Sequence, residues 1–311
     1  ISRRLVLAVV LAFVASAASA AAHPPARARA SSARQAKAAK KGAAKAVAPA
    51  RKSAAKAAAP APKGAAKAVE APPKLPVMTA EQIVRRNVAA RGGLAAWRAV
   101  STLSTAGKLD AGGKPSVELP FVLKQKRGHR SRLEISFHDQ TAVQVYDGSQ
   151  GWKVRPFLNR NEVEPYTEAE TRSAASWEEL DGPLLDHESK GTRVELVGTE
   201  AVEGHAAYKL RLTFRNGEQR HVWIDGKTFL ERKIESEPRK LDGKMHAVAL
   251  LFRAFRTDGG LTTPAVLETV VDGVKPTRKL TITKVTVNEP MPDSLFAKPQ
   301  LASTVGPAPR P

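Results

Sequence analysis

The side chains that usually carry chemistry are present in this chain but are not grouped for it. Seven histidines, His23, His129, His138, His187, His205, His221 and His246, are scattered along 311 residues. None stands in the His-Glu-x-x-His spacing that puts two imidazoles on one helix face to hold zinc. The densest group of metal-capable residues is Asp186-His187-Glu188. Adjacent residues of a strand or loop point apart, so this group is expected to be a solvated loop. Asp147-Gly148-Ser149-Gln150-Gly151 superficially resembles a nucleophile turn, yet it lacks Gly-x-Ser-x-Gly and reads as a hairpin turn. Glu178-Glu179 and Glu162 with Glu164 read as solvated faces, and neither a phosphate-binding loop nor a dinucleotide glycine pattern occurs. The absence of cysteine removes disulfides, thiolate metal sites, a cysteine nucleophile and a lipid-modified N-terminal cysteine. The expectation is a non-enzymatic protein with no cofactor and no metal. An active site assembled from distant residues stays open.

With no reaction centre to position, the elements themselves become informative. Composition divides the chain at Val77. Residues 21–76 contain no Phe, Tyr or Trp, and carry thirteen Lys or Arg against the single Glu70. Of the formal charge of +20, this stretch holds +12, Arg3 and Arg4 hold +2, and the remainder from Val77 onward holds only +6. The basic character therefore belongs to a tail, and the folded part is only mildly basic. Ahead of the tail, Arg3-Arg4, the apolar run Leu5 to Val14 and the small residues Ala15 to Ala22 follow the order of a secretory signal peptide. Cleavage is expected after Ala18-Ser19-Ala20, giving a signal over 1–20. The alternative is an uncleaved anchor, since Leu5 to Ala22 is an uncharged run of eighteen residues. Both deliver the rest across a membrane, and the expected location is the periplasm.

The tail repeats with a period of eleven residues: KGAAKAVAPAR from Lys41, KSAAKAAAPAP from Lys52 and KGAAKAVEAPP from Lys63. Proline in each unit interrupts the helix that Ala and Lys favour, so 21–76 reads as a disordered, self-repelling linker. As a loose coil it spans about 40 Å root-mean-square. Its composition is like that of DNA-binding histone tails, but an exported tail meets little nucleic acid, so an anionic membrane or envelope polymer is the expected contact.

Beyond Val77 the pattern is that of a globular domain. Thr79 stands three residues before Gln82, the capping-box spacing, and Ile83, Val84, Val88 and Ala89 share a helix face that Arg91-Gly92-Gly93 terminates. A second short helix runs from Leu94 to Val100. After Ser101 the period changes to two. Val117, Leu119, Phe121 and Leu123 alternate, as do Leu133, Ile135 and Phe137; Val143 and Val145; Tyr208, Leu210, Leu212 and Phe214; and Val222 and Ile224. Asn216-Gly217 between two alternating runs is a strong hairpin signal. Leu280 and Ile282 fall out of phase with Val285 and Val287, which predicts a bulge near Lys284. The stretch 167–185 lacks alternation and reads as helical, with Ala174, Trp177, Leu180 and Leu184 as an apolar stripe. The predicted fold is mainly β: a strongly curved antiparallel half-barrel of about eleven or twelve strands, with helices covering its concave face. Residues 300–311 read as a disordered tail.

Several segments resemble the LolA/LolB-like family of lipoprotein carriers. They are IVRRNVAARGGLAAW over 83–97; Val145-Tyr146-Asp147-Gly148 with Gly151-Trp152; GHAAYKLRL over 204–212 leading into Val222-Trp223-Ile224-Asp225; and Val285-Thr286-Val287-Asn288 with Pro292-Asp293-Ser294-Leu295-Phe296. The resemblance spans 77–299 and lies in pattern and order. It implies an unclosed curved sheet with helices as a lid over an apolar cavity for acyl chains. It also implies lipoprotein or lipid cargo and membrane-bound donor and acceptor components. Missing cysteine sets the chain beside the soluble carrier, expected as a monomer; the long basic repeat departs from the family. The acyl-chain lining expected on these grounds is Trp97, Leu133, Ile135, Phe137, Val143, Val145, Trp177, Leu210 and Leu212, each of which is equally suited to plain core packing. Two other readings stay open: an envelope structural or signalling module with a filled interior, and an envelope hydrolase.

Overall fold

A computed structural model describes residues 74–111, 116–177 and 180–300. The expected signal peptide, the repeats and the terminal tail lie outside the described residues. The Thr79 capping box forms as its spacing predicts: the Thr79 hydroxyl accepts from the Gln82 amide at 3.2 Å, and the Gln82 side chain accepts from the Thr79 amide at 2.9 Å. It opens helix α1 (Ala80–Ala90), and the short helix α2 (Leu94–Arg98) follows. Between them Gly92 sits at φ +108°, where only glycine fits: a Cβ there would lie 2.2 Å from the Gly260 carbonyl oxygen.

Among the described residues thirteen strands then form one antiparallel sheet, not closed into a barrel. In chain order they are β1 (Thr102–Asp110), β2 (Glu118–Lys126), β3 (Arg130–Phe137), β4 (Gln140–Tyr146), β5 (Gly151–Arg155), β6 (Arg160–Pro165), β7 (Arg193–Val202), β8 (His205–Thr213), β9 (Gln219–Asp225), β10 (Glu231–Leu241), β11 (Lys244–Asp258), β12 (Leu261–Val271) and β13 (Val274–Val287). The spatial order is β6-β5-β4-β3-β2-β1-β13-β12-β11-β10-β9-β8-β7. Each half is a meander of hairpins, and the halves join where β1 pairs with β13. In that ladder Ala106 opposes Lys284 while Gly107 opposes Ile282, so Thr283 is the extra residue of a bulge. This is the phase break visible between Ile282 and Val285. Between the halves the chain forms helix α3 (Glu168–Trp177) and a turn-rich crossing over 180–192. The helix predicted over 167–185 thus ends early: Gly182 adopts φ +77° and Pro183 follows, two residues that break helix.

Candidate functional site

Directly opposed residues of an antiparallel ladder project to the same side of the sheet, so the registers sort side chains into faces. On the concave side, the β6–β1 half and the β13–β7 half are treated differently. At one end, Leu109, Leu119, Phe121 and Ile135 of the first half, with Leu280 of β13, pack with Phe157, which a 3-10 turn (Pro156–Leu158) carries. Phe157 meets Phe137 edge-on at 5.9 Å. In the other half, Ile83 and Val84 of α1 lie on Tyr208, Leu210, Leu212, Val222 and Ile224. Between these plugs the face is left hollow.

The hollow measures about 890 Å³. Its floor is mainly apolar: Leu103, Phe121, Leu123 and Leu133 come from β1–β3, and Ile234, Leu250, Phe252, Leu267, Leu280 and Ile282 from β10–β13, with Thr105, Gln125, Arg220, Glu231 and Thr263 of the sheet also lining it. Its cover is not sheet. Trp97 and the crossing from Leu180 to Thr192 lie over it. Leu180 and Leu185 pack with Trp97, Val100 and Leu261, so the cover has a small core of its own.

Polar contacts hold the cover to the rim. Asp181, with a side chain only 5% exposed, takes Arg127 at 3.1 Å and Lys190 at 2.5 Å on its two carboxylate oxygens. Its backbone carbonyl accepts from Arg91 at 2.8 Å. Arg127, in the β2–β3 turn, also donates to the carbonyls of Val100 and Trp97 at 2.7 Å each. Arg91 stacks on the Trp97 ring at 4.7 Å and lies 3.5 Å from Glu231. Farther along, Arg98 grips Asp186 at 2.8 and 3.0 Å, and this hydrogen-bonded pairing holds the Asp186 carboxyl below its usual range. The Asp186-His187-Glu188 run is thus a strut of the cover: His187 Nδ1 meets the Thr192 carbonyl at 3.0 Å. Asp147 is used likewise, as a turn acceptor for the Ser149 and Gln150 amides at 2.7 Å. Among the described residues no three His, Asp or Glu converge as a metal site.

The nine residues expected to line a cavity are distributed by the registers. Trp97 and Leu133 line the hollow. Ile135 and Phe137 share its face but pack with Phe157. Leu210 and Leu212 are buried under α1. Val143 and Val145 lie on the opposite face. Leu133 opposes Gln144 and Ile135 opposes Ala142, which puts the odd-numbered residues of β4 on the convex side, where Met291, Leu295 and Phe296 cover them. The side chain of Trp177 lies outside the described residues. Leu250, Phe252 and Leu267 were not expected in the lining. Their stretch of sequence is apolar without clean alternation, because bulges interrupt β11 at Phe252–Ala254 and Ala254–Phe255.

The described residues thus form one open, curved antiparallel sheet with a covered hollow on one face. No protein-family model matches the chain, and no curated protein matches it in sequence. Among solved structures, the chain is similar to a LolA superfamily protein from Nitrosomonas europaea, with 15% identity over 71% of this chain and 99% of that one, at a TM-score of 0.46. It is also similar to a domain assigned to outer membrane lipoprotein sorting from Vibrio parahaemolyticus, with 14% identity over 70% of this chain and 95% of that one, at 0.46. A DUF1329 family protein from Desulfovibrio piger shares 12% identity over 70% and 97%, at 0.47.

Proposed function

We propose that this protein is a periplasmic carrier that takes acyl chains of lipoproteins or other lipids into the hollow and moves them toward the outer membrane. One observation carries the reading: an apolar-floored hollow of about 890 Å³ under a cover that is not part of the sheet. That volume falls within the roughly 300–1,000 Å³ of ligand pockets. Water makes a free acyl chain costly by about 0.8 kcal/mol per exposed CH₂, so a shuttle needs such a lining. Release needs a cover that opens, and opening Trp97 with 180–192 would break both the apolar packing of Leu180, Leu184 and Leu185 and the polar contacts of Asp181 and Asp186. The basic stretch 21–76 keeps the carrier near anionic membrane, where donor and acceptor components reside.

Native mass spectrometry of the protein isolated from the periplasm tests this. Bound lipid or lipopeptide at one per chain is expected. Lipid-free protein that also fails to take up any added lipid or lipopeptide would sink the reading and favour a module with a filled interior.

A further inference from the structure

Two residues in the wall of the hollow carry polar atoms that the fold does not use. Arg91 follows α1, and its backbone carbonyl is occupied twice, by the Trp97 indole N–H at 2.8 Å and by the Thr262 amide at 3.0 Å. Its side chain, 9% exposed, lines the hollow. Nη1 donates to the Asp181 carbonyl at 2.8 Å and lies 3.5 Å from Glu231, while the guanidinium rests on the Trp97 ring. Nε is enclosed and has no partner among the described residues.

The bond from Thr262 holds β12 against this corner, and the next residue, Thr263, also lines the hollow. It is 5% exposed, and its hydroxyl is likewise enclosed without a partner among the described residues. Thr263 stands two positions beyond Leu261 and shares its face, and Leu261 packs with Trp97, Leu180 and Leu185 of the cover. Both polar atoms therefore sit beneath the cover, and raising it to admit cargo bares them. A buried donor without an acceptor has given up water for nothing, and valine at 263 would fill the same space without that cost. Glu231 already answers the charge of Arg91, so what Nε–H lacks is an acceptor oxygen rather than an anion. In lipids, the neutral oxygens that accompany an acyl chain are those of its ester or amide linkage.

We propose that Arg91 Nε–H and the Thr263 hydroxyl donate to the linkage carbonyl oxygens, ester or amide, of a lipid whose acyl chains lie on the floor of the hollow. The inference rests on the carrier reading and narrows its ligand class.

The test measures how well three neutral lipids displace a fluorescent acyl probe from the full chain and from its T263V and R91K variants. Dimyristoylglycerol carries ester carbonyls, N-myristoylglycinamide carries an amide carbonyl at its linkage, and the diether ditetradecylglycerol carries neither. The basic tail is the same in every variant, so its contribution cancels. The quantity read is the affinity of each carbonyl lipid relative to the diether, which a general loosening of the cover would not move. T263V keeps the side-chain shape and should lower that ratio several-fold. R91K keeps the charge but loses Nε, and should lower it about tenfold, because charge-assisted hydrogen bonds are the stronger. T263V should also unfold at a urea midpoint no lower than the native one; a lower midpoint would give the hydroxyl to the fold and remove Thr263 from the assignment. A fall for the ester alone identifies a glyceride, a fall for the amide alone identifies an N-acyl ligand, and a fall in one variant alone assigns the carbonyl to that residue. Ratios unchanged in both variants overturn the carbonyl assignment and, with the diether bound, leave the carrier standing. Failure of all three lipids to bind the unaltered protein overturns both.

Discussion

At the level of single residues, burial and lining are separable, and the two have opposite consequences. Leu210 is fully buried beneath α1, outside the hollow. Leu210→Ala is expected to lower stability by about 2–5 kcal/mol, through lost transfer energy and a residual cavity. Urea unfolding measures it, and the prediction fails if the midpoint is unmoved. Leu267 is partly buried and projects into the hollow. Leu267→Trp fills space that no native side chain occupies. It should reduce uptake of a fluorescent fatty acid about tenfold or more while leaving the unfolding midpoint near its native value. Equal uptake by the two proteins would mean that the acyl chain lies elsewhere. The sequence shows both positions as apolar, Leu210 in a clean alternation and Leu267 in a run without one, and cannot sort them into core and lining, because lining and core differ only in what faces them. Val143 and Val145 make the same point for sidedness. Each run of alternation reveals which residues share a face, while the register between β3 and β4 decides which face it is.

The elements were more legible than the site. Capping box, glycine stop, strand runs and the bulge beside Lys284 all follow from local rules, and each is found where its residues put it. The cover was legible only in part. Its apolar residues Leu180 and Leu184 are buried as a helical stripe predicts, but Gly182-Pro183 turns the chain into a crossing tied down by side chains distant in sequence. Two substitutions separate scaffold from cover. Gly92→Ala forces a Cβ against the Gly260 carbonyl at positive φ, and is expected to cost about 1–3 kcal/mol in urea unfolding. Asp181→Asn instead weakens the contacts with Arg127 and Lys190 that anchor the crossing. It should speed exchange of a bound acyl probe several-fold in stopped-flow mixing, which Gly92→Ala should not, with a stability loss of similar size, about 1–3 kcal/mol. An exchange rate equal to that of the native protein would show that the cover opens elsewhere.

For the molecule as a whole, the two meanders have their own plugs and ties, and acid should act on both. In the first half Lys153 meets Glu170 of α3 at 2.5 and 2.6 Å, with both side chains under 10% exposed. Burial pushes the Glu170 carboxyl up, but hydrogen bonds from Lys153 and from the amide and hydroxyl of Thr167 outweigh it and hold the group below its usual range. In the second half Asp225 is raised by burial and lowered more by the Thr228 amide, Arg232 and the Lys227 amide, for a net depression. A carboxylate whose pKa is depressed on folding contributes stability that is present above its unfolded value and is lost as pH falls through its folded value. The unfolded references are 4.5 for Glu170 and 3.8 for Asp225. Stability should therefore be level on this account down to about pH 5 and fall steadily below it. Glu170→Gln leaves the Lys153 ammonium buried without its counter-charge, so the variant should be less stable at neutral pH and show a shallower acid decline than the native chain. Thermal melts of both proteins from pH 7 to pH 3 measure this, and parallel curves would mean that the buried pair does not link folding to acid.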